Sequence, residues 1–195
     1  MSKKLRIGGA SGFWGDSLVA TPQLLNGNNL DFIVYDYLAE ITMSIMARAR
    51  AKDPSKGYAI DFVSSVMKLN LRQIADQKVK ILSNAGGVNP QACAEAIRAL
   101  IKELNLDLKV AVVLGDDLLE DKDKFLDSDV QEMYSDEKFP EVDKVASINA
   151  YLGAFPIAQA LNDGADIVIT GKSGDSAVPL AACIHTYWWK EGEYD

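Results

Sequence analysis

Apolar residues along this chain fall in short continuous runs that alternate with longer stretches of helical spacing. The short runs end at glycine or polar residues and predict strands at residues 5–8, 31–35, 79–82, 108–114 and 166–170. Regular structure is also expected at residues 145–151. Strands that alternate with helices predict a three-layer α/β fold, a Rossmann-like arrangement in which a mostly parallel sheet carries helices on both faces.

The longer stretches predict helices that begin near Leu18, after Asp36, near Asp61, after Asn89, near Pro156 and after Ser176. Asp36 and Asn89 are expected N-caps, and Pro90 suits a first helical turn. The expected inward-facing residues are Leu38, Ile41, Ile45 and Ala49 in the second helix, Val63, Val66, Met67, Leu71 and Ile74 in the third, Cys93, Ala96, Ile97, Leu100, Ile101 and Leu104 in the fourth, and Ala177, Leu180, Ala181, Ile184 and Trp188 in the last. The strand at 108–114 is almost continuously apolar, so we expect it to be covered on both faces.

Polar and glycine residues cluster where the predicted strands end. Because parallel strands bring their carboxyl ends to one edge of a sheet, we expect these residues to form one ligand-binding site. They are Ser11, Gly12, Asp16, Asp36, Ser83, Asn84, Gly86, Gly87, Asn89, Gly115, Asp116, Asp117, Lys172, Asp175 and Ser176. For Asp16, Asp36, Asn89 or Asp175 taken singly, helix capping is the simpler explanation.

Lys172, Asp116 and Asp117 are the candidate catalytic residues of this set. Lys172 is its only cation and would stabilise a carboxylate, phosphate or enolate, the alternative being a solvated loop lysine. Asp116 and Asp117 would act as a base or as oxygen ligands of a divalent cation, the alternative being solvated loop carboxylates. His185, the only histidine, is expected to be a packing or interface residue, and the identity of any metal stays open.

Residues 116–144, called the acidic segment below, are dense in Asp, Glu and Lys. Two interpretations are open. The segment either covers the site or forms a pair of short solvated helices, and its composition favours the second.

Composition narrows the class of protein and of partner. The net charge of −8 argues against nucleic acid and anionic membranes as partners. Cys93 and Cys183 both lie in apolar helical patterns and are expected to be core thiols, as suits the cytoplasm. We expect residues 1–195 to form a single cytoplasmic α/β domain with no membrane-spanning or signal segment.

Two stretches of the sequence resemble nucleotide-binding motifs. Gly9, Gly12 and Gly15 after the first strand, with Asp36 after the second, resemble the dinucleotide fingerprint of extended short-chain dehydrogenases, which makes an NAD(P)-dependent dehydrogenase an alternative function. Tyr134 and Lys138 match the spacing of that family's catalytic pair but lie in the acidic segment. The Gly171-Lys172-Ser173 triplet is not a P-loop, because Asp166 stands where the first glycine is required.

Taken together, the stretches at residues 8–17, 36–43, 83–90, 115–117 and 169–177 resemble the acyclic terpene utilisation A family. The resemblance implies a cytosolic protein of acyclic terpenoid and branched-acid degradation, whose substrates are carboxylates or acyl-CoA thioesters. It leads us to expect an enzyme, lyase- or hydratase-like, or a noncatalytic subunit that completes a partner's active site.

The resemblance also carries two departures. Family members usually have an arginine followed by apolar residues where this chain has Lys172, Ser173 and Gly174. The family domain continues past residue 195, so the chain is expected to correspond to its N-terminal part. The remainder would be absent or a separate subunit of an oligomer, with the terminal aromatic residues at the interface. A divalent cation and a CoA thioester are the cofactor candidates.

Overall fold

The computed structural model describes residues 4–27, 29–126 and 128–193. Within them, five parallel strands form one sheet in the order β1-β2-β3-β5-β4. The strands are β1 (Ile7–Ser11), β2 (Phe32–Tyr35), β3 (Lys80–Ser83), β4 (Val110–Val113) and β5 (Ile167–Thr170). The predicted α/β class and the three-layer arrangement are confirmed.

The helices are α1 (Ala20–Leu25), α2 (Glu40–Lys52), α3 (Lys68–Gln77), α4 (Pro90–Glu103), α5 (Ala154–Asn162) and α6 (Ala177–Tyr187). A π-helical segment at Phe62–Met67 leads directly into α3. Helices α1 to α4 bury their apolar side chains against one face of the sheet. The smaller core on the other face belongs to α5 and α6, which pack against each other. No helix in the described ranges is long and apolar enough to cross a membrane.

The order of the strands places a crevice between β3 and β5. The chain leaves β3 through α4 on the first face and leaves β5 through α6 on the second. Neighbouring strands whose connections turn to opposite faces mark the position where open parallel sheets bind ligands. A ligand is therefore expected beside the turns after β3 and β5.

Three expectations about extended structure are wrong. Gly9 and Ser11 belong to β1, where they pair with Val34 and Tyr35, so the glycine turn begins only at Gly12. Strand β4 lies at the edge of the sheet and is only half-buried along Val110–Val112, because β5 takes the position beside β3. Residues 145–151, where regular structure is expected, contain an isolated bridge at Asn149 and neither a helix nor a strand.

The inner faces of α3 and α4 are confirmed, but those of α2 and α6 are partly wrong. Helix α2 begins at Glu40 behind Ala39, so Asp36 does not cap it, and it buries Met43, Met46 and Ala47. Ile41 and Ile45 lie in solvent. Two apolar stripes run along this helix, and periodicity alone does not distinguish them. In α6, Leu180 is likewise exposed, and so is Trp188, which lies just past the end of the helix as its C-cap.

The acidic segment is mostly solvated and contains two short 3-10 helices, Leu119–Phe125 and Val142–Lys144. The start of the segment is joined to the residues that follow its end, since Leu118 N–H donates to the Ile148 carbonyl and Ala150 N–H to the Asp116 carbonyl, both at 2.8 Å. The expectation of short solvated helices is thus confirmed. The joined ends hold Asp116 and Tyr151 at the carboxyl edge of the sheet.

Candidate functional site at the carboxyl edge of the sheet

Lys172 lies in the turn after β5, beside the crevice, and is only 3% exposed. Its Nζ donates to the Leu38 carbonyl at 2.8 Å and lies 4.5 Å from the centre of the Tyr151 ring. The Asp175 carboxylate is 3.7 Å away and largely exposed. The interpretation of Lys172 as a solvated loop residue is therefore wrong. It is a buried ammonium held by a carbonyl dipole and an aromatic face.

Tyr151 covers this ammonium, and its hydroxyl donates to the Glu40 carboxylate at the start of α2. The same bond lowers the pKa of Glu40 and raises the pKa of Tyr151 to about 12. Tyr151 is thus a proton donor at neutral pH. Lys172, Tyr151 and Glu40 form what we call the lysine cluster.

Asp116 is buried after β4 and holds the turn that carries Lys172. Its Oδ2 accepts the backbone N–H of Lys172 at 2.8 Å and the side-chain amide of Asn149 at 2.9 Å. A Cβ on Gly171 would overlap the same carboxylate, so the group lies flat against that glycine. Burial raises the pKa of Asp116, and the two donors oppose that rise. The arrangement makes Asp116 a positioning residue.

Asp117 points to a different neighbour. Its Oδ2 accepts from Arg50 Nη1 at 2.8 Å and its Oδ1 from the backbone N–H of Leu119 at 3.1 Å. Arg50, near the end of α2, also donates to the Val88 carbonyl. Asp116 and Asp117 are therefore consecutive in sequence but serve separate contacts.

A second network links the ends of β2 and β3. The Asn84 amide donates to Asp36 Oδ1 at 2.7 Å, and its oxygen accepts the Tyr37 N–H at 2.7 Å. The Ser11 hydroxyl donates to the Asp36 carbonyl at 3.3 Å, and Ser83 Oγ accepts the Ala85 N–H. These polar groups satisfy one another, as buried polar groups must. The sequence correctly placed them together, but their bonds are internal.

Gly86, Gly87 and Asn89 serve packing. A Cβ on Gly86 would overlap the Thr170 carbonyl oxygen, and one on Gly87 would overlap Met46 Sδ. Asn89 caps α4 by accepting the Ala92 N–H, as predicted, and its amide donates to the carbonyls of Pro54 and Lys56. The turn after β3 is thus closely packed by protein atoms.

The remaining predicted residues are peripheral. Asp16 accepts the Gly12 N–H at 2.9 Å and forms a local turn. Ser176 is the N-cap of α6 without a capping hydrogen bond from its side chain, and Asp175 lies beside it in solvent.

Ser173, adjacent to Lys172, is fully buried, and its hydroxyl has no hydrogen-bond partner within the described ranges. Orphaned buried hydroxyls are uncommon in native proteins.

Three other expectations concern a metal ion, His185 and the two cysteines. The described side chains of His, Cys, Asp and Glu contain no group of three arranged to hold a metal ion. His185 packs edge-on against Phe32 and contacts Asn162, in line with a packing role. Cys93 is a buried free thiol, as expected, whereas Cys183 is a free thiol that is only partly buried, so the expectation of a core thiol is wrong for Cys183. Burial raises the pKa of each.

The dinucleotide fingerprint lacks its structural context. Gly9 lies inside β1, α1 begins five residues after Gly15, and β1 is at the edge of the sheet, away from the crevice. Dinucleotide sites need the helix N-terminus directly behind the glycines at the crevice. Tyr134 is 86% exposed in a turn of the acidic segment.

A family model described as acyclic terpene utilisation family protein AtuA matches residues 5–195. The chain belongs to the AtuA family. Neither a curated protein nor a solved structure matches it. The resemblance in the strand-end stretches is thereby confirmed.

Three side chains at the edge of this AtuA-family sheet were missed by sequence reasoning: Arg50, Tyr151 and Glu40. Arg50 bonds to a carboxylate 67 residues away, and Tyr151 to one 111 residues away. None of them directly follows a strand, and the sequence prediction selected only polar residues at strand ends. The exposed start of α2 behind Asp36 was the available signal for Glu40.

Proposed function

We propose that this AtuA-family chain acts on a small branched carboxylate or its acyl-CoA thioester by a lyase- or hydratase-like step at the carboxyl edge of its sheet. The observation that supports the proposal is the buried ammonium of Lys172. Burying a lysine ammonium costs free energy unless it is closely paired, and the carboxylate paired with Lys172 is itself largely exposed. That carboxylate belongs to Asp175 and lies at 3.7 Å.

The chemistry suits an ammonium in this position. Adding water across the α,β double bond of an unsaturated acyl thioester, or cleaving the bond between its α and β carbons, passes through an enolate whose oxygen carries negative charge. A fixed positive group in a partly dry site stabilises that charge without reorganising. Lys172 would supply the positive charge, and the orphaned Ser173 hydroxyl beside it is a further donor.

Access to Lys172 is controlled by Tyr151. Because the ring covers the ammonium and the hydroxyl is bonded to Glu40, a substrate reaches Lys172 only when that contact opens. Glu40 is ionised at neutral pH, since its bond to Tyr151 lowers its pKa. In the lysine cluster, Lys172 would therefore supply the positive charge, and Tyr151, held by Glu40, would cover it.

The test is turnover of a panel of branched acyl-CoA thioesters, followed by mass spectrometry of the products. Lys172→Met keeps most of the buried stem and removes the charge. We expect it to lower turnover by about a hundredfold or more. Lys109→Met, an exposed lysine at the opposite edge of the sheet, is the matched control. Unchanged turnover in Lys172→Met would remove Lys172 from the mechanism.

A second candidate is a noncatalytic subunit that completes a partner's site. One observation favours it: Asp116, Asp117 and Glu40 each accept hydrogen bonds from other groups, so a catalytic base supplied by another chain would not duplicate any of these three. Native mass spectrometry of the protein purified from its source tests this candidate. A second chain in the complex supports it, and an active single chain contradicts it.

A further inference from the structure

A cleft of about 320 Å³ opens between the turn after β3 and the start of the acidic segment. Its lining includes Arg50, Gly87, Gln91, Gly115 and Asp117. Asp116 also lines it, so the cleft adjoins the turn that carries Lys172. It lies at the same edge of the sheet as the lysine cluster but is not covered by Tyr151.

Arg50 is the cation among the described residues that line this cleft. Its side chain is 25% exposed, and its bonds to Asp117 and to the Val88 carbonyl both use Nη1. A guanidinium binds a carboxylate best through two parallel bonds from two nitrogens. The contact with Asp117 is therefore weaker than the one Arg50 is able to make. The amino end of α4, which also borders the cleft, adds to a field that favours an anion.

We propose that Arg50 binds the free carboxylate of a small branched acid in this cleft, and that Asp117 occupies the position of that carboxylate when no ligand is bound. The proposal rests on the free-acid form of the proposed function, because an acyl-CoA thioester has no free carboxylate for Arg50 to bind. In this proposal Asp117 competes with the ligand carboxylate for Arg50, and it is neither a base nor a metal ligand. Exchange of one carboxylate for the other breaks no covalent bond.

Asp117 is held in a way that permits the exchange. Its side chain is 35% exposed, and one of its oxygens is bonded to the backbone of Leu119, close by in sequence. Gly115, two residues before it, has a φ of +118°, which glycine adopts without strain. Asp116 keeps its separate bonds to Lys172 and Asn149, so rotation of Asp117 leaves the lysine turn in place.

The experiment is a calorimetric titration of the full chain with 3-methylbutanoate, using 3-methylbutanamide as the neutral probe. Arg50→Gln should weaken binding of the acid by about tenfold or more, because a charge-assisted contact is lost. Asp117→Asn should tighten it by about two- to fivefold, the range expected for removing an exposed ion pair that competes. Arg48→Gln, an exposed arginine of the same helix, is the matched control and should leave binding unchanged.

The two variants overturn the proposal independently. Arg50 also bonds to Val88, so the Arg50→Gln protein must show an unfolding midpoint close to that of the wild type. Asp117→Asn leaves Arg50 intact and needs no such check. Weaker binding in Asp117→Asn, unchanged binding in Arg50→Gln, or equal binding of the amide would each overturn the proposal. So would the absence of binding in both the wild type and Asp117→Asn.

The titration also separates this proposal from the proposed function. If Lys172→Met loses turnover while Arg50→Gln binds the acid normally, the Arg50 site is wrong and the function stands. If both Arg50 and Asp117 variants behave as expected while no thioester is turned over, the site stands and the reaction is wrong. Inorganic phosphate is the remaining probe, and tighter binding of phosphate than of 3-methylbutanoate would overturn the assignment of a carboxylate.

Discussion

Asp116 and Lys172 are joined by a hydrogen bond of 2.8 Å from the backbone N–H of the lysine to the aspartate carboxylate. The bond crosses 56 residues and ties the end of β4 to the turn after β5. Because the same carboxylate also holds Asn149, it fixes the return of the acidic segment as well. The position of the buried ammonium thus depends on Asp116, whose carboxylate bonds to the backbone of Lys172 and not to its Nζ.

Asp116→Asn should destabilise the fold and disturb the lysine turn. The amide keeps the shape of the carboxylate, but the Lys172 N–H and the Asn149 amide then meet either a neutral oxygen or another donor. Losing such buried bonds typically lowers the free energy of unfolding by about 1–3 kcal/mol. The measurement is urea unfolding. Asp123→Asn, an exposed carboxylate of the same segment, is the control and should change stability by less than about 0.5 kcal/mol. Equal effects of the two would show that Asp116 does not hold the turn.

The same residue predicts a dependence of stability on pH. Burial raises the pKa of Asp116 in the folded state, so the folded protein binds this proton more tightly than the unfolded chain. Its contribution is therefore most favourable at low pH and is lost as the pH rises from about 3.9, the ordinary aspartate value, through the folded pKa. The difference in unfolding free energy between wild type and Asp116→Asn, measured from pH 3 to 7, should fall across that window. A flat or rising difference would contradict the prediction.

Local signals in the sequence predicted the sheet, most helix positions and the gathering of strand ends at one edge. Asn89 and Pro90 began α4 as expected, because capping is decided by adjacent residues. The helix faces of α2 were wrong, because Ile41 and Met43 lie on two apolar stripes and tertiary packing chose the second. The partner of Arg50 was beyond prediction, because that pairing depends on how the acidic segment returns to the sheet.

The glycines of the strand ends illustrate the same limit. Gly86 was expected to admit a ligand, but the space its missing side chain leaves is filled by Thr170 and Pro90. Gly86→Ala should therefore destabilise the fold by about 3 kcal/mol or more, since the clash is with backbone. Gly9→Ala, where a Cβ would meet nothing within 4 Å, is the control and should be nearly neutral. Thermal or urea unfolding of both variants checks this, and a stable Gly86→Ala protein would mean that the turn is open.

Asn89 should prove structural as well. Asn89→Ala removes the cap of α4 and leaves the carbonyls of Pro54 and Lys56 without their donor, which predicts a loss of about 2 kcal/mol. Asn89→Asp keeps the capping oxygen and removes only the donor, so its loss should be smaller. Urea unfolding measures both losses, and an Asn89→Asp protein as unstable as Asn89→Ala would show that the capping oxygen contributes nothing.

Tyr151 gives the last prediction, because its ring and its hydroxyl have separable roles. Tyr151→Phe keeps the ring over Lys172 and removes the bond to Glu40, so the pKa of Glu40 should rise toward its ordinary value, as carboxyl chemical shifts followed over pH would report. Tyr151→Ala removes the ring too, and acylation of Lys172 by acetic anhydride, mapped by peptide mass spectrometry, should then be much faster than in wild type or Tyr151→Phe. Exposed Lys102 reports on general reactivity and should be labelled equally in all three proteins. If Lys172 were labelled as fast in the wild type as in Tyr151→Ala, Tyr151 would not be its cover. The proposed route of substrate to the ammonium would then have to begin elsewhere on this edge.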